Sequence, residues 1–121
     1  KNAHIYKMDV LFWLYDKFFS ACMDGRLKHN IESLGAKTIA VYGYGKIGKQ
    51  LLNYLRDNDI EIDCFIEKNE NNTDGIRIKG VDNLSDDHWD IIIVTPTYDY
   101  DNIQNMIKNY CERVISLEEL V

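Results

Sequence analysis

Thr38-Ile39-Ala40-Val41-Tyr42-Gly43-Tyr44-Gly45-Lys46-Ile47-Gly48-Lys49 carries the strongest fold signal in this chain. It opens with a short apolar run rich in β-branched residues, which predicts a strand over residues 38–42. Glycines follow at 43, 45 and 48, and a helical pattern then places Ile47, Leu51, Leu52 and Leu55 on one face. A strand, a Gly-x-Gly-x-x-Gly turn and a helix in that order form the pattern of a phosphate-binding turn. Gly43 allows a sharp exit from the strand, Gly45 lets the backbone approach a pyrophosphate, and Gly48 lets the helix pack close to the sheet. The N–H groups of Tyr44, Gly45, Lys46 and Ile47 would meet the phosphates, where the helix dipole favours an anion.

The sequence that follows extends this pattern. Ile60 to Ile66 reads as a second strand, and Glu67 lies at its end, 19 residues past Gly48. That is near the ~20-residue spacing at which an acid holds a ribose 2′-hydroxyl. Lys68 to Gly75 is polar and reads as a loop, and Ile76 to Val81 as a short strand. Residues 83–89 read as a helical turn. Asp90 to Thr95 is apolar at Ile91, Ile92, Ile93 and Val94, as a strand covered on both faces should be. Thr97 and Asp99 are candidate caps for a helix near 100–110. Arg113 to Ser116 reads as a last strand and Leu117 to Val121 as a helical tail.

Strands alternating with helical crossovers predict an α/β fold: a Rossmann-like, doubly wound parallel sheet over residues 37–121. Strand one and the 90–95 strand are expected side by side at its centre. Ligands of such sheets bind at the carboxyl ends of the strands. Thr95, Thr97 and Tyr98 are therefore candidates for touching whatever lies beyond the phosphates. A capped turn explains the same residues without a ligand.

Residues 1–36 form an N-terminal helical extension. Ile5, Met8, Phe12, Tyr15, Phe19 and Cys22 recur at alternating spacings of three and four, with Leu11, Leu14 and Phe18 widening the stripe. Asp24-Gly25 ends this helix, and a second short one runs from about Leu27 to Leu34. The stripe is expected to be buried against the home sheet, a second copy of the chain or a missing covalent partner domain, with a homodimer favoured.

Composition narrows the classes. The chain has 121 residues, 45% of them hydrophobic, which suits one domain. No apolar run approaches the ~18 residues of a membrane span, and no signal-peptide pattern opens the chain. The first residue is Lys1 rather than methionine, so a processed product, a trimmed chain or one domain cut from a longer protein is expected. Residues 1–56 carry nine basic and four acidic side chains, and residues 57–121 carry five and sixteen. The acidic second half argues against a nucleic-acid partner, whereas Lys46 and Lys49 flank the glycine turn.

Cys22, Cys64 and Cys111 are odd in number and unpaired in pattern, as expected of small buried hydrophobes in a reducing, cytoplasmic setting. His4, His29 and His88 lack partners at metal spacing. Tyr42 and Lys46 straddle the glycine turn and do not share one helix face, so they make no acid–base couple. The sequence offers no general acid, base or nucleophile, and no catalysis by this chain alone is expected.

Five motifs in order carry a family resemblance: Ile-Ala-Val-Tyr-Gly-Tyr-Gly-Lys-Ile-Gly, Cys-Phe-Ile-Glu-Lys-Asn, Asp-Gly-Ile-Arg-Ile-Lys-Gly-Val, Asp-Ile-Ile-Ile-Val-Thr-Pro and Val-Ile-Ser-Leu-Glu-Glu-Leu. Residues 37–121 resemble the small Rossmann-like domains of bacterial surface-polysaccharide proteins. Similar domains precede the β-helix of sugar acetyltransferases, occur in nucleotide-sugar dehydratases and epimerases, and sit beside glycosyltransferase and FkbM-type methyltransferase domains. The resemblance implies binding of a nucleotide, a nucleotide sugar or NAD(P) through Gly43, Gly45, Gly48 and Glu67. The β-helix that carries acetyltransferase catalysis and the Tyr/Lys pair of the dehydratases are both absent here. The resemblance therefore implies a binding module, with two rivals: the truncated part of an NAD-dependent epimerase, dehydratase or oxidoreductase, and a structural module with an empty site.

Overall fold

A computed structural model describes residues 3–73 and 75–121. Asp74 of the expected polar loop and the side chain of His4 lie outside the described residues. The chain is a mixed α/β fold. Helices α1 (Ala3–Met23) and α2 (Arg26–Ser33) precede strand β1 (Ile39–Tyr42) and helix α3 (Lys46–Asp57). Strands β2 (Cys64–Glu67), β3 (Asn71–Thr73), β4 (Ile76–Gly80) and β5 (Trp89–Val94) follow, then α4 (Tyr100–Ile107) and β6 (Cys111–Ser116). Short 3-10 turns cover Val81–Asn83, Thr97–Asp99, Lys108–Tyr110 and Leu117–Leu120.

The six strands form one sheet in the order β3-β4-β2-β1-β5-β6. β1 pairs in parallel with β2 and with β5, Val41 lying opposite Phe65 on one side and Ile93 on the other. The expected adjacency of β1 and the 90–95 strand is therefore observed. A clip holds the start of this pair: the Asp90 carboxylate accepts from the Lys37 N–H at 2.7 Å, and the Asp90 N–H donates to Thr38 Oγ1 at 2.8 Å. Alternation along each strand splits the core into two layers. Ile39, Val41, Phe65, Ile91 and Ile93 pack with Ile47, Leu51 and Leu55 of α3 and with Leu27 and Ile31 of α2. Ala40, Tyr42, Ile66, Ile92 and Val94 pack on the opposite layer with Ile103 and Ile107 of α4.

Several details depart from the sequence reading. The sheet is not wholly parallel, because the polar stretch expected as a loop contains β3, antiparallel to β4. Asn71 and Asn72 are exposed and pair through backbone alone, so no apolar alternation marks this edge strand. β2 begins at Cys64 rather than Ile60. The turn expected at 83–89 lies earlier, at Val81–Asn83, and Trp89 already belongs to β5, buried beside α4. On α1 the expected stripe divides between two faces. The chain's own core takes Leu14, Phe18 and Ala21, while Ile5, Met8, Phe12 and Phe19 of the expected stripe stay exposed, Phe12 at 66%. Tyr15 and Cys22 sit half-buried at the edge between these faces. No helix among the described residues is long and apolar enough to cross a membrane.

Candidate functional site

The glycine turn lies where β1 meets α3. β1 is held between its neighbours up to its last residue: Gly43 N–H donates to Ile66 O at 2.9 Å, and Thr95 N–H to Tyr42 O at 3.0 Å. Gly43 then turns with φ of 102°, a conformation that L side chains rarely adopt. A Cβ there would also lie 2.4 Å from Thr95 Oγ1 and 2.8 Å from Pro96 Cδ. Gly48 is required by space alone, because a Cβ would come within 2.2 Å of the Gly43 carbonyl oxygen. That contact brings the first turn of α3 against the end of β1.

Gly45 differs from both. It is exposed, its φ is −87°, and a Cβ built on it meets nothing within 4 Å. It is the N-cap of α3 and its carbonyl accepts the Lys49 N–H at 2.9 Å, but no side chain caps the helix. Neither conformation nor packing calls for glycine at this position.

The other expected residues gather here in part. Glu67, at the end of β2, accepts a hydrogen bond from the Tyr44 N–H at 3.0 Å. Tyr44 itself is buried, its ring edge-on to Phe65 at 4.7 Å between centroids. Gly43, Gly45, Lys46, Ile47, Gly48, Glu67, Thr95 and Tyr98 line one cavity of about 330 Å³. Thr95 donates its hydroxyl to the carbonyls of Tyr42 and Gly43, so it positions the turn. Thr97 lines neither this cavity nor the one that adjoins it; it is buried, and its Oγ1 has no hydrogen-bond partner among the described residues. Neither Thr97 nor Asp99 caps α4 through its side chain, and Asp99 instead accepts from Asn102 Nδ2 at 2.7 Å.

A second cavity of about 450 Å³ shares Gly43, Glu67 and Pro96 with the first and continues along Lys68, Asn69, Glu70 and Asn71. Glu67 therefore stands between a side holding Lys46 and a polar side beyond β2. Tyr42 borders this second cavity, and burial, then Glu67, Asp99 and Tyr98, push its phenol pKa above the usual value. It stays a neutral donor at ordinary pH.

Three residues of the first cavity carried no signal in the glycine pattern: Lys7, Leu11 and Tyr15, all from α1. Of the other titratable groups considered from sequence, His88 Nε2 meets Glu112 at 2.7 Å on the surface, away from the turn. The three cysteines are free. Burial pushes the Cys22 and Cys64 thiols up to about 11 and raises Cys111 as well. None is a poised nucleophile.

These features define a mixed α/β domain with a glycine turn and an open cleft at the carboxyl ends of β1, β2 and β5. Residues 35–115 match the family described as C2185-like, N-terminal, and the chain belongs to that family. No curated protein and no solved structure matches the chain.

Proposed function

We propose that this chain is a Rossmann-like nucleotide-binding module whose ligand carries a diphosphate and an unmodified ribose, such as NAD or a nucleotide sugar. The observation that carries this reading is Gly45. Its neighbours Gly43 and Gly48 are explained by a positive φ and by contact with the turn, whereas Gly45 faces open space beside the cavity. A glycine there gives a ligand close access to the backbone at the start of α3.

Charge supports the same orientation. The first cavity holds Lys46 and the uncapped start of α3, which suits the diphosphate. Glu67 borders both cavities, in position to accept ribose hydroxyls while the base extends along residues 68–71. A carboxylate at that point repels a 2′-phosphate, so NAD is expected to bind better than NADP.

In this reading, which the sequence resemblance supports, such a module works with bacterial sugar-nucleotide or surface-glycan enzymes. In that setting it binds and orients a ligand, and a partner domain supplies the catalytic groups. The exposed outer face of α1 is the surface proposed for association with a second copy, and light scattering at micromolar concentration tests it.

Two observations favour a second reading, a structural module with an empty site. Two of the three glycines serve packing, and Glu67 already accepts the Tyr44 N–H. Calorimetry with NAD, NADP and UDP-sugars separates the two. The proposal expects binding by the wild type and loss of it in Gly45→Val, which keeps its fold because a Cβ there meets nothing. Undetectable heats for every compound with folded wild type would leave the structural module.

A further inference from the structure

The cavity over the glycine turn has a wall from outside the strand–turn–helix unit. Lys7, Leu11 and Tyr15 stand four residues apart along α1, on one helical face, and all three line it. The same helix is anchored further along by Leu14, Phe18 and Ala21 in the core. Its first half reaches across to the turn after β5, where Tyr98 lies.

Two cations enter the cavity from opposite walls, and each rests on an aromatic ring of the other side. Lys46 Nζ from α3 lies 4.9 Å from the ring centre of Tyr15 on α1. Lys7 Nζ from α1 lies 4.9 Å from the ring centre of Tyr98. Gln50 of α3 adds a bond from its Nε2 to the Tyr15 hydroxyl. The residues of α1 from Ile5 to Asp9 are exposed. Cation–π contacts at such sites are weaker than a charge-assisted bond to phosphate. Among the described residues, Glu67 is the only carboxylate lining this cavity, against two lysines, in a chain whose net charge is −6. A local excess of positive charge in an acidic protein selects an anion at that spot.

We infer that α1 is a ligand-responsive wall of the nucleotide site: Lys7 leaves the Tyr98 ring to contact the bound diphosphate, and occupancy holds the first half of α1 against α3. The inference rests on the nucleotide reading and adds a binding residue and a moving element to it. Coupling of this kind is reciprocal, so what loosens α1 weakens the ligand and the ligand in turn orders α1.

The test uses the full chain with ADP as probe. Calorimetry compares wild type, Lys7→Ala and Lys7→Arg, and hydrogen exchange by mass spectrometry follows residues 7–15 with and without ADP. Lys7 is exposed, so its substitution leaves the fold intact, as circular dichroism would verify. Lys7→Ala is expected to bind ADP about 5-fold more weakly, the effect of losing roughly one exposed charge contact, and Lys7→Arg to bind nearly as wild type. ADP is expected to slow exchange across residues 7–15 in wild type and less so in Lys7→Ala. Unchanged affinity in Lys7→Ala, or exchange across residues 7–15 that ADP does not alter, overturns the inference while the nucleotide reading stands. A folded wild type that binds neither ADP nor NAD overturns both.

Discussion

Gly48→Ala tests how closely α3 is seated on the glycine turn. A Cβ at this position would lie 2.2 Å from the Gly43 carbonyl oxygen and 3.1 Å from the Gly43 carbonyl carbon. Both are backbone atoms that no rotamer change can move. Gly43 itself is held by its bond to Ile66 O and by the Thr95 hydroxyl on its carbonyl. The start of α3 must therefore retreat by roughly 1 Å, which loosens Ile47 and Leu51 in the core at an overpacking cost of ~1–3 kcal/mol. The better helix propensity of alanine returns up to ~1 kcal/mol. A net loss of about 1–2 kcal/mol is expected, lowering Tm by roughly 3–10 °C for a chain of this size. Urea and thermal unfolding followed by circular dichroism measure it, with Gly45→Ala as the control. In that control a small N-cap penalty and a small gain in chain entropy nearly cancel. A Gly48→Ala protein as stable as wild type would refute the reasoning, because it would mean that α3 is not pressed onto the turn.

Other outcomes follow from the same packing and charges. Leu14→Ala should cost ~2–5 kcal/mol and Phe12→Ala no more than ~0.5 kcal/mol in urea unfolding of the monomer, since α1 turns only the former inward. If the chain pairs through α1, Phe12→Asp should convert the dimer to monomer in sedimentation. Partial burial pushes the half-buried thiols of Cys22 and Cys64 up to about 11, above the ~8.5 of an unfolded thiol. The folded state therefore favours the protonated thiol. Stability from this source is complete below about pH 8.5 and falls as pH rises through 11, so the urea midpoint should drop over that window, less steeply in a Cys22→Ala/Cys64→Ala variant. Glu67→Ala should weaken NAD binding by ~1–3 kcal/mol in calorimetry and narrow the gap between NAD and NADP.

Much of this architecture was legible in residue order, for identifiable reasons. β1 and β5 announced their adjacency through Ile91 to Val94, apolar on both faces as only a covered strand is. Gly43 and Gly48 announced the tight turn between β1 and α3. β3 was not legible, because Asn71-Asn72-Thr73 pairs through its backbone and shows no apolar pattern. The orientation of α1 was not legible either. Leu14, Phe18 and Ala21 compete with Ile5, Met8, Phe12 and Phe19, and a helix with two apolar faces does not declare which one its own core takes. At the site, Thr95 and Tyr98 of the three candidates Thr95, Thr97 and Tyr98 line the first cavity, a division among near neighbours that spacing does not resolve. Lys7 was missed because its meeting with Tyr98 spans most of the chain and depends on how α1 docks.

The most direct test of the central claim is an amide NMR titration of the wild-type chain with NAD. The largest shifts are expected on Tyr44 to Gly48 and on Glu67, with smaller ones along residues 68–71. Shifts confined to other surfaces, or none at saturating NAD with the spectrum of a folded domain, would contradict it.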